Sequence, residues 1–234
     1  MPVHLVRSLG IVERGSTDPI LVVDDHGVAW LCKVQPPPMS DHAVELIAAH
    51  LALAMVVPVA PFAVATVDAA LVAALAAGTA KEREYARRLR DLGPTVFASH
   101  WLPGARDVDR FGAEDLPVLA RVRALDRLTL NPDRRADHPN LLRVGGAVVA
   151  IDHAQALPEC HGGDAGWFDV GAHVATAAGV ATDVEAIDEV DIHAAVASVP
   201  AGWISDERRE AVLVGLLERA GAMCAADGHA VRSP

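Results

Sequence analysis

Cysteine is scarce in this chain, and what there is cannot build a framework. Cys32, Cys160 and Cys224 are three, odd in number and far apart, so a disulfide-stapled scaffold is excluded and reduced thiols in a cytoplasmic protein are expected. No C-x-x-C pair occurs, and Cys160-His161 is too short to be half of a zinc motif, so no zinc site is expected. Aromatic residues make up only 4% of the chain, which leaves alanine, valine and leucine to fill the core. Such an alanine-rich, lysine-poor composition is associated with GC-rich bacterial genomes. Positive charge is outnumbered, 20 Lys and Arg against 31 Asp and Glu, for a formal net charge of −11. A surface of that sign does not attract nucleic acid or an anionic membrane as a whole.

Several motifs are missing too. There is no G-x-x-x-x-G-K-[ST], no G-x-G-x-x-G and no G-x-S-x-G, which excludes a P-loop, a dinucleotide fingerprint and a hydrolase elbow at Ser16 or Ser99. The start, Met1-Pro-Val-His-Leu-Val-Arg7, has no positive region before an apolar core, so no secretory signal is expected. One stretch, Leu46 to Val67, carries no Asp, Glu, Lys or Arg and is long enough to span a bilayer. His50, Pro58 and Pro61 interrupt it, so the expectation is a buried helix, a turn over Val57-Pro58-Val59-Ala60-Pro61, then a strand from Phe62.

At 234 residues, 52% hydrophobic and 22% charged, the chain can bury a substantial core in one domain or two small lobes. Its first part reads as strand-rich. Leu5–Val12, Ile20–Val23, Val28–Val34, Phe62–Val67 and Thr95–Trp101 have strand patterns, and Asp24-Asp-His-Gly27 is a hairpin turn. A helix starts near His42, with Ser40 or Asp41 as N-cap and Ala43, Leu46, Ile47, Leu51 and Met55 at helical spacing. Asp68–Ala77 and the charged, solvated Lys81–Arg90 read as two more. After Pro103-Gly104 the character turns helical: Leu116–Leu130, Phe168–Ala178, Val184–Ser198 and Asp206–Ala226, with one short hairpin, Leu141–Val144 and Ala147–Ile151, around Gly145-Gly146. The expected division is a strand-rich part over 1–102 and a helical part over 103–234.

Chemistry-bearing residues cluster around that hairpin. Asp133 follows Asn131-Pro132 in a loop that cannot be helical, Asn140 comes seven residues later, and Asp152 ends the apolar run Ala147–Ile151. Phosphoryl transfer needs this order: one Asp to orient the acceptor hydroxyl, an Asn and a second Asp to hold Mg²⁺ against nucleotide phosphates. Lys33 is the only lysine in the first 80 residues and lies in an apolar stretch, where a lysine needs a reason. A phosphate contact supplies one, with Glu45 on the next helix as its partner. Gly15-Ser16-Thr17, between two strands, can offer backbone N–H groups and hydroxyls to phosphates, although such a loop is an ordinary turn by default. His153 reads as a structural group rather than a metal ligand, since no paired His or Cys has a suitable spacing; Arg134 and Arg135 sit beside Asp133, and a solvated Asp/Arg loop is the ordinary alternative to the catalytic reading.

Taken together, Gly15–Pro19, Lys33, Glu45, Phe97-Ala-Ser99, Leu125-Asp126, Asn131-Pro-Asp-Arg134, Asn140-Leu-Leu142 and Ile151-Asp-His153 resemble the HipA-like kinase family, with similarity also to type II phosphatidylinositol 4-kinases. The resemblance implies an α+β, two-lobed protein-kinase-like fold with ATP between the lobes. By position it gives Lys33 to the phosphates, Glu45 to Lys33, Asp133 to catalysis, and Asn140 and Asp152 to Mg²⁺. Backbone groups at His100, Trp101 and Leu102 would meet the adenine. The Asp133-to-Asn140 interval of seven exceeds the five of H-R-D-x-x-x-x-N, so a longer loop is expected. The implied function is an ATP- and Mg²⁺-dependent kinase acting on a protein serine or threonine, with no nucleic-acid or membrane partner. A nucleotide-binding regulatory module, or a small-molecule or lipid kinase, is the competing reading.

Overall fold

The structure is a computed structural model that describes residues 2–12, 18–34, 40–161, 173–177 and 187–226. Its first elements are β1 (Val3–Ile11), β2 (Ile20–Asp24), β3 (Ala29–Cys32), α1 (Ser40–Ala54), β4 (Phe62–Val67), α2 (Ala69–Ala76), α3 (Ala80–Leu92) and β5 (Thr95–His100). The five strands close into a barrel in the order β1-β2-β3-β5-β4. Only the β1–β4 seam is parallel. The β2–β3 hairpin is set by Asp24, whose carboxylate accepts the His26 and Val28 N–H groups at 2.9 and 2.8 Å and the Trp30 indole N–H at 3.0 Å. Gly27, at φ +82°, supplies the left-handed residue that this turn requires.

Strand alternation separates two environments. Leu5, Ile20, Val22, Cys32, Val96 and Ala98 fill the barrel, joined by Leu71 and Leu75 of α2 and Tyr85, Ala86 and Leu89 of α3. Leu31, Phe97 and Ser99 alternate with these residues and line a cavity instead. The charged helix α3 is therefore amphipathic rather than wholly solvated. It starts at a capping box, where Thr79 Oγ1 accepts the Glu82 N–H and Glu82 returns the bond to Thr79.

The second half contains β6 (Arg106–Asp107), a 3-10 turn (Ala113–Asp115), α4 (Leu116–Thr129), β7 (Leu141–Val144), β8 (Ala147–Ala150), α5 (Pro158–His161), α6 (Val174–Ala177), α7 (Glu189–Ala197) and α8 (Asp206–Ala226). Strands β6, β7 and β8 form a small antiparallel sheet. Gly145 and Gly146, at φ +56° and +93°, make the tight β7–β8 turn. The chain is thus mixed α/β, strand-rich at its N-terminal end.

Helix α1 joins the halves. Ala43, Val44, Leu46, Ile47, Ala48, Leu51 and Ala52 are all buried, so the helix is apolar on nearly every face. That explains the uncharged Leu46–Val67 stretch, and among the described residues no helix is long and apolar enough to cross a membrane. The α1 core also holds Leu119, Val122, Leu125 and Leu128 of α4, Ile192 of α7, and Val212 and Leu216 of α8.

The differences from the sequence reading are local. Helix α1 starts at Ser40, so Ser40 and Asp41 stand in its first turn rather than at its N-cap. β3 stops at Cys32, leaving Lys33 just past the strand. β6, α5 and the 3-10 turn, of two to four residues, are too short to leave a periodic signal. Of the helices read over Phe168–Ala178 and Val184–Ser198, α6 and α7 are what the described residues contain, and Gly15, Ser16 and Thr17 lie outside them.

His42, one turn before Glu45, docks α1 on β5: its Nδ1 accepts the Phe97 N–H at 2.9 Å, and its ring lies 5.4 Å from that of Trp203. Burial, with Lys33 adding and Glu45 opposing, pushes its pKa down to about 4. The folded protein therefore holds His42 neutral where the unfolded chain protonates it. The corresponding stability is complete above the unfolded value near 6.5 and is lost as pH falls toward 4. We expect His42→Asn, which keeps an acceptor, to flatten the decline in unfolding free energy between pH 6.5 and 5 by about 2 kcal/mol, read from urea midpoints.

Candidate active site

The site is assembled around Lys33. Its Nζ lies 2.7 Å from Glu45 Oε1 on α1 and 2.5 Å from Asp152 Oδ1, just past β8. The Lys33 side chain is 24% exposed and that of Glu45 8%, so the charges are largely withdrawn from water. Burial works against the ammonium, but attraction by Glu45 and Asp152 outweighs it and raises the Lys33 pKa. Burial works against the Glu45 carboxylate as well, and Lys33 and His153 together hold its pKa well below the usual range. Glu45 Oε2 also accepts the His153 N–H at 3.1 Å, so one carboxylate spans the lysine and the chain beyond Asp152. His153 itself is buried.

The loop after α4 carries the other polar groups. α4 ends with Leu130 in the left-handed conformation, and Asn131 is fully buried, its amide donating to Asp126 Oδ1 at 3.0 Å. Asp133 and Asn140, seven residues apart, meet directly: Asn140 Nδ2 donates to Asp133 Oδ2 at 2.9 Å. The longer interval is therefore accommodated by a loop that returns Asn140 to Asp133. Because the nitrogen end of the amide is engaged there, its oxygen is the end left for another partner. Asn140 and Asp152 have φ of +47° and +56°. Left-handed backbone costs a non-glycine residue roughly 1 kcal/mol, though Asn and Asp tolerate it best.

These residues border a cavity of about 540 Å³, within the range of small-molecule sites. Lys33, Glu45, Asn140 and Asp152 line one side, and His100, Trp101 and Leu102 also line it. Asp133 is not among the lining residues and reaches the cavity through Asn140. The His100 amide is taken by the Pro61 carbonyl at 2.7 Å and the Trp101 amide by the Ala29 carbonyl at 2.9 Å, so neither N–H is available to a base. Among the described residues no cluster of three or more His, Cys, Asp and Glu could hold a metal by itself. Asp152 and Asn140 offer two hard oxygens, a set that fits Mg²⁺, which keeps waters and substrate phosphates as its other ligands.

The sequence reading missed the buried layer beneath this cavity. Arg134 is fully buried with Asp126, against the solvated-loop alternative at that position: Arg134 Nε lies 2.6 Å from Asp126 Oδ2. The same Asp126 oxygen contacts His173 Nε2 at 2.8 Å. Burial would raise the Asp126 pKa, yet Arg134 and His173 lower it. Only Arg135 keeps the solvated role, paired with exposed Asp137 at 2.8 Å. The available signal was Asp126 itself, a carboxylate on the α4 face that also carries Leu119, Val122 and Thr129.

The model of the HipA-like kinase family matches residues 5–217. No curated protein matches the sequence. Among solved structures, the crystal structure of a Helicobacter pylori proinflammatory kinase, CtkA, is similar at TM-score 0.56 over 94% of each chain, with 12% identity. The likeness at that identity is one of fold. The chain belongs to the HipA-like kinase family and is a kinase.

A buried ion pair and an exposed one should respond differently to truncation. Asp126→Ala, which strands the Arg134 charge, is expected to cost about 3–5 kcal/mol of unfolding free energy. Arg135→Ala should change it by about 0.5 kcal/mol or less. Chemical denaturation of both variants checks the contrast.

Proposed function

We propose that this kinase uses ATP with Mg²⁺ and phosphorylates a serine or threonine hydroxyl of a protein acceptor. The observation that carries the reading is the meeting of Lys33, Glu45 and Asp152 at one wall of a nucleotide-sized cavity. Family membership implies ATP and an acceptor; the choice of protein serine or threonine rests on the family resemblance alone. We take residues 1–102 and 103–234 as the two lobes, with the cavity between them.

In this reading Lys33 binds the ATP phosphates while Glu45 fixes its ammonium. Gly15, Ser16 and Thr17 would cover the phosphates through backbone N–H groups. Leu102, His100 and Trp101 bound the base, and the engaged His100 and Trp101 amides assign its hydrogen bonds to other main-chain groups there. Asp152 and the Asn140 amide oxygen would hold Mg²⁺, which when bound offsets charge on the phosphates and orients them. Asp133 accepts the acceptor hydroxyl's proton as that oxygen bonds to the γ-phosphorus and the bond from the γ-phosphorus to ADP breaks, and the Asn140 amide keeps the carboxylate aimed. Lys33 would exchange Asp152 for a phosphate when ATP enters, and Glu45 stays bound to it throughout. All three cysteines are free thiols. Burial pushes the Cys32 and Cys160 pKa values up to about 12, in keeping with unreactive thiols in a cytoplasmic enzyme.

Asp133→Asn should lower kcat by about 10²–10⁴-fold, with ATP-analogue affinity retained, because it removes only the proton acceptor. Asp152→Asn should abolish the Mg²⁺ dependence of analogue binding. The assay is transfer of labelled phosphate to a protein panel and to phosphoinositide vesicles, beside calorimetric binding. Binding without any turnover would replace the enzyme reading with a nucleotide-sensing module. Labelling of vesicles alone would replace the acceptor, and full activity in both variants would overturn the site.

A further inference from the structure

The two residues assigned to the metal have left-handed backbones, and one side chain reaches the main chain at both. Arg134 Nη1 donates to the Asn140 carbonyl at 2.7 Å, to the Pro139 carbonyl at 3.2 Å and to the Ile151 carbonyl at 3.3 Å. The Asn140 carbonyl also accepts the Ile151 N–H at 3.0 Å, which ties the two segments to each other beside the guanidinium. Ile151 directly precedes Asp152, so the arginine touches the peptide that leads into one left-handed residue and the carbonyl of the other. Its far side is fixed by Asp126, which α4 and His173 hold in place. The Arg134 carbonyl in turn accepts the Val174 N–H at 3.2 Å.

Arg134 Nη2 is buried without a hydrogen-bond partner among the described residues, and a buried donor left unsatisfied is costly. The guanidinium is retained in a place where part of its donor capacity is unused. The part that is used converges on the carbonyls that set the directions of Asn140 and Asp152.

We propose that Arg134 is the positioning residue of the metal site, holding through the Asn140 and Ile151 carbonyls the left-handed backbones that aim Asn140 and Asp152 at one point. The inference rests on the Mg²⁺-nucleotide reading above. Lysine cannot do this work: its single ammonium lacks the planar fork that meets Asp126 on one edge and main-chain carbonyls on another. Loss of such a supporting contact typically weakens metal binding by about 10–100-fold.

The experiment uses the full chain and ADP, titrated by calorimetry without metal and with Mg²⁺, together with Mn²⁺ binding in the ADP complex followed by electron paramagnetic resonance. Arg134→Lys should keep metal-free ADP affinity within about twofold of wild type. It should lose about tenfold or more of the metal-dependent tightening and of Mn²⁺ affinity. Arg135→Lys, one residue along, should leave both unchanged. If Arg134→Lys does not fold, the paired variant Asp126→Asn/Arg134→Gln removes both buried charges together and is read the same way. A folded variant with metal affinity equal to wild type overturns the proposal. Failure of both variants to fold also overturns it, since Arg134 would then serve the fold. Absence of any metal-dependent tightening in the wild type would sink the Mg²⁺-nucleotide reading itself.

Discussion

An ammonium mostly withdrawn from water needs negative charge close by, and Lys33 takes it from two places that the chain separates widely. Glu45 is 12 residues away on α1 and Asp152 is 119 residues away beyond β8. Satisfying that one cation therefore fixes three things at once: the end of β3 in the barrel, the azimuth of α1, and the exit of the small second sheet. Neither carboxylate could be withdrawn cheaply, because each would leave a partly buried charge uncompensated. The cavity exists where these three elements are held together.

The rest of the structure serves that convergence. Helix α1 is buried on nearly all sides, so hydrophobic packing places its axis, and His42 sets its contact with β5 through the Phe97 N–H. A second buried ion cluster, Asp126, Arg134 and His173, lies under the loop that carries Asp133 and Asn140. Buried ion pairs of this kind contribute little net stability against apolar replacements of the same shape. What they supply is a unique arrangement: few alternative packings satisfy a guanidinium, a carboxylate and several carbonyls together.

Much of the fold was legible because it is periodic. The strands, the largely apolar α1 and the amphipathic α4 left repeats of two or about 3.6 residues that a sequence displays openly. The two-residue Gly145-Gly146 turn was equally local. The candidate site was legible in part for a different reason: Asp133, Asn140 and Asp152 flank a short hairpin, and a lone lysine in an apolar stretch stands out. The burial of Arg134 was not legible because its neighbours are polar and its partner sits eight residues back. Polar context suggests solvent unless the opposite wall is known. β6 and α5 were invisible because two to four residues contain no period.

Composition and pattern by themselves determined a mixed α/β chain, strand-rich at first and helical later, without a disulfide framework, and with a carboxylate-rich loop fit for phosphoryl transfer. Those properties are written locally, in residue type and spacing. The tertiary structure alone decided that five strands close into a barrel through a parallel β1–β4 seam, that the His100 and Trp101 amides are already engaged, and that Arg134 is interior. Each depends on which distant backbone groups and charges become neighbours, and a charge or a carbonyl does not record in sequence which partner will satisfy it. So it is with the lysine at the centre: the chain shows that Lys33 needs a counter-charge and offers Glu45, and only the fold brings Asp152 to it as well.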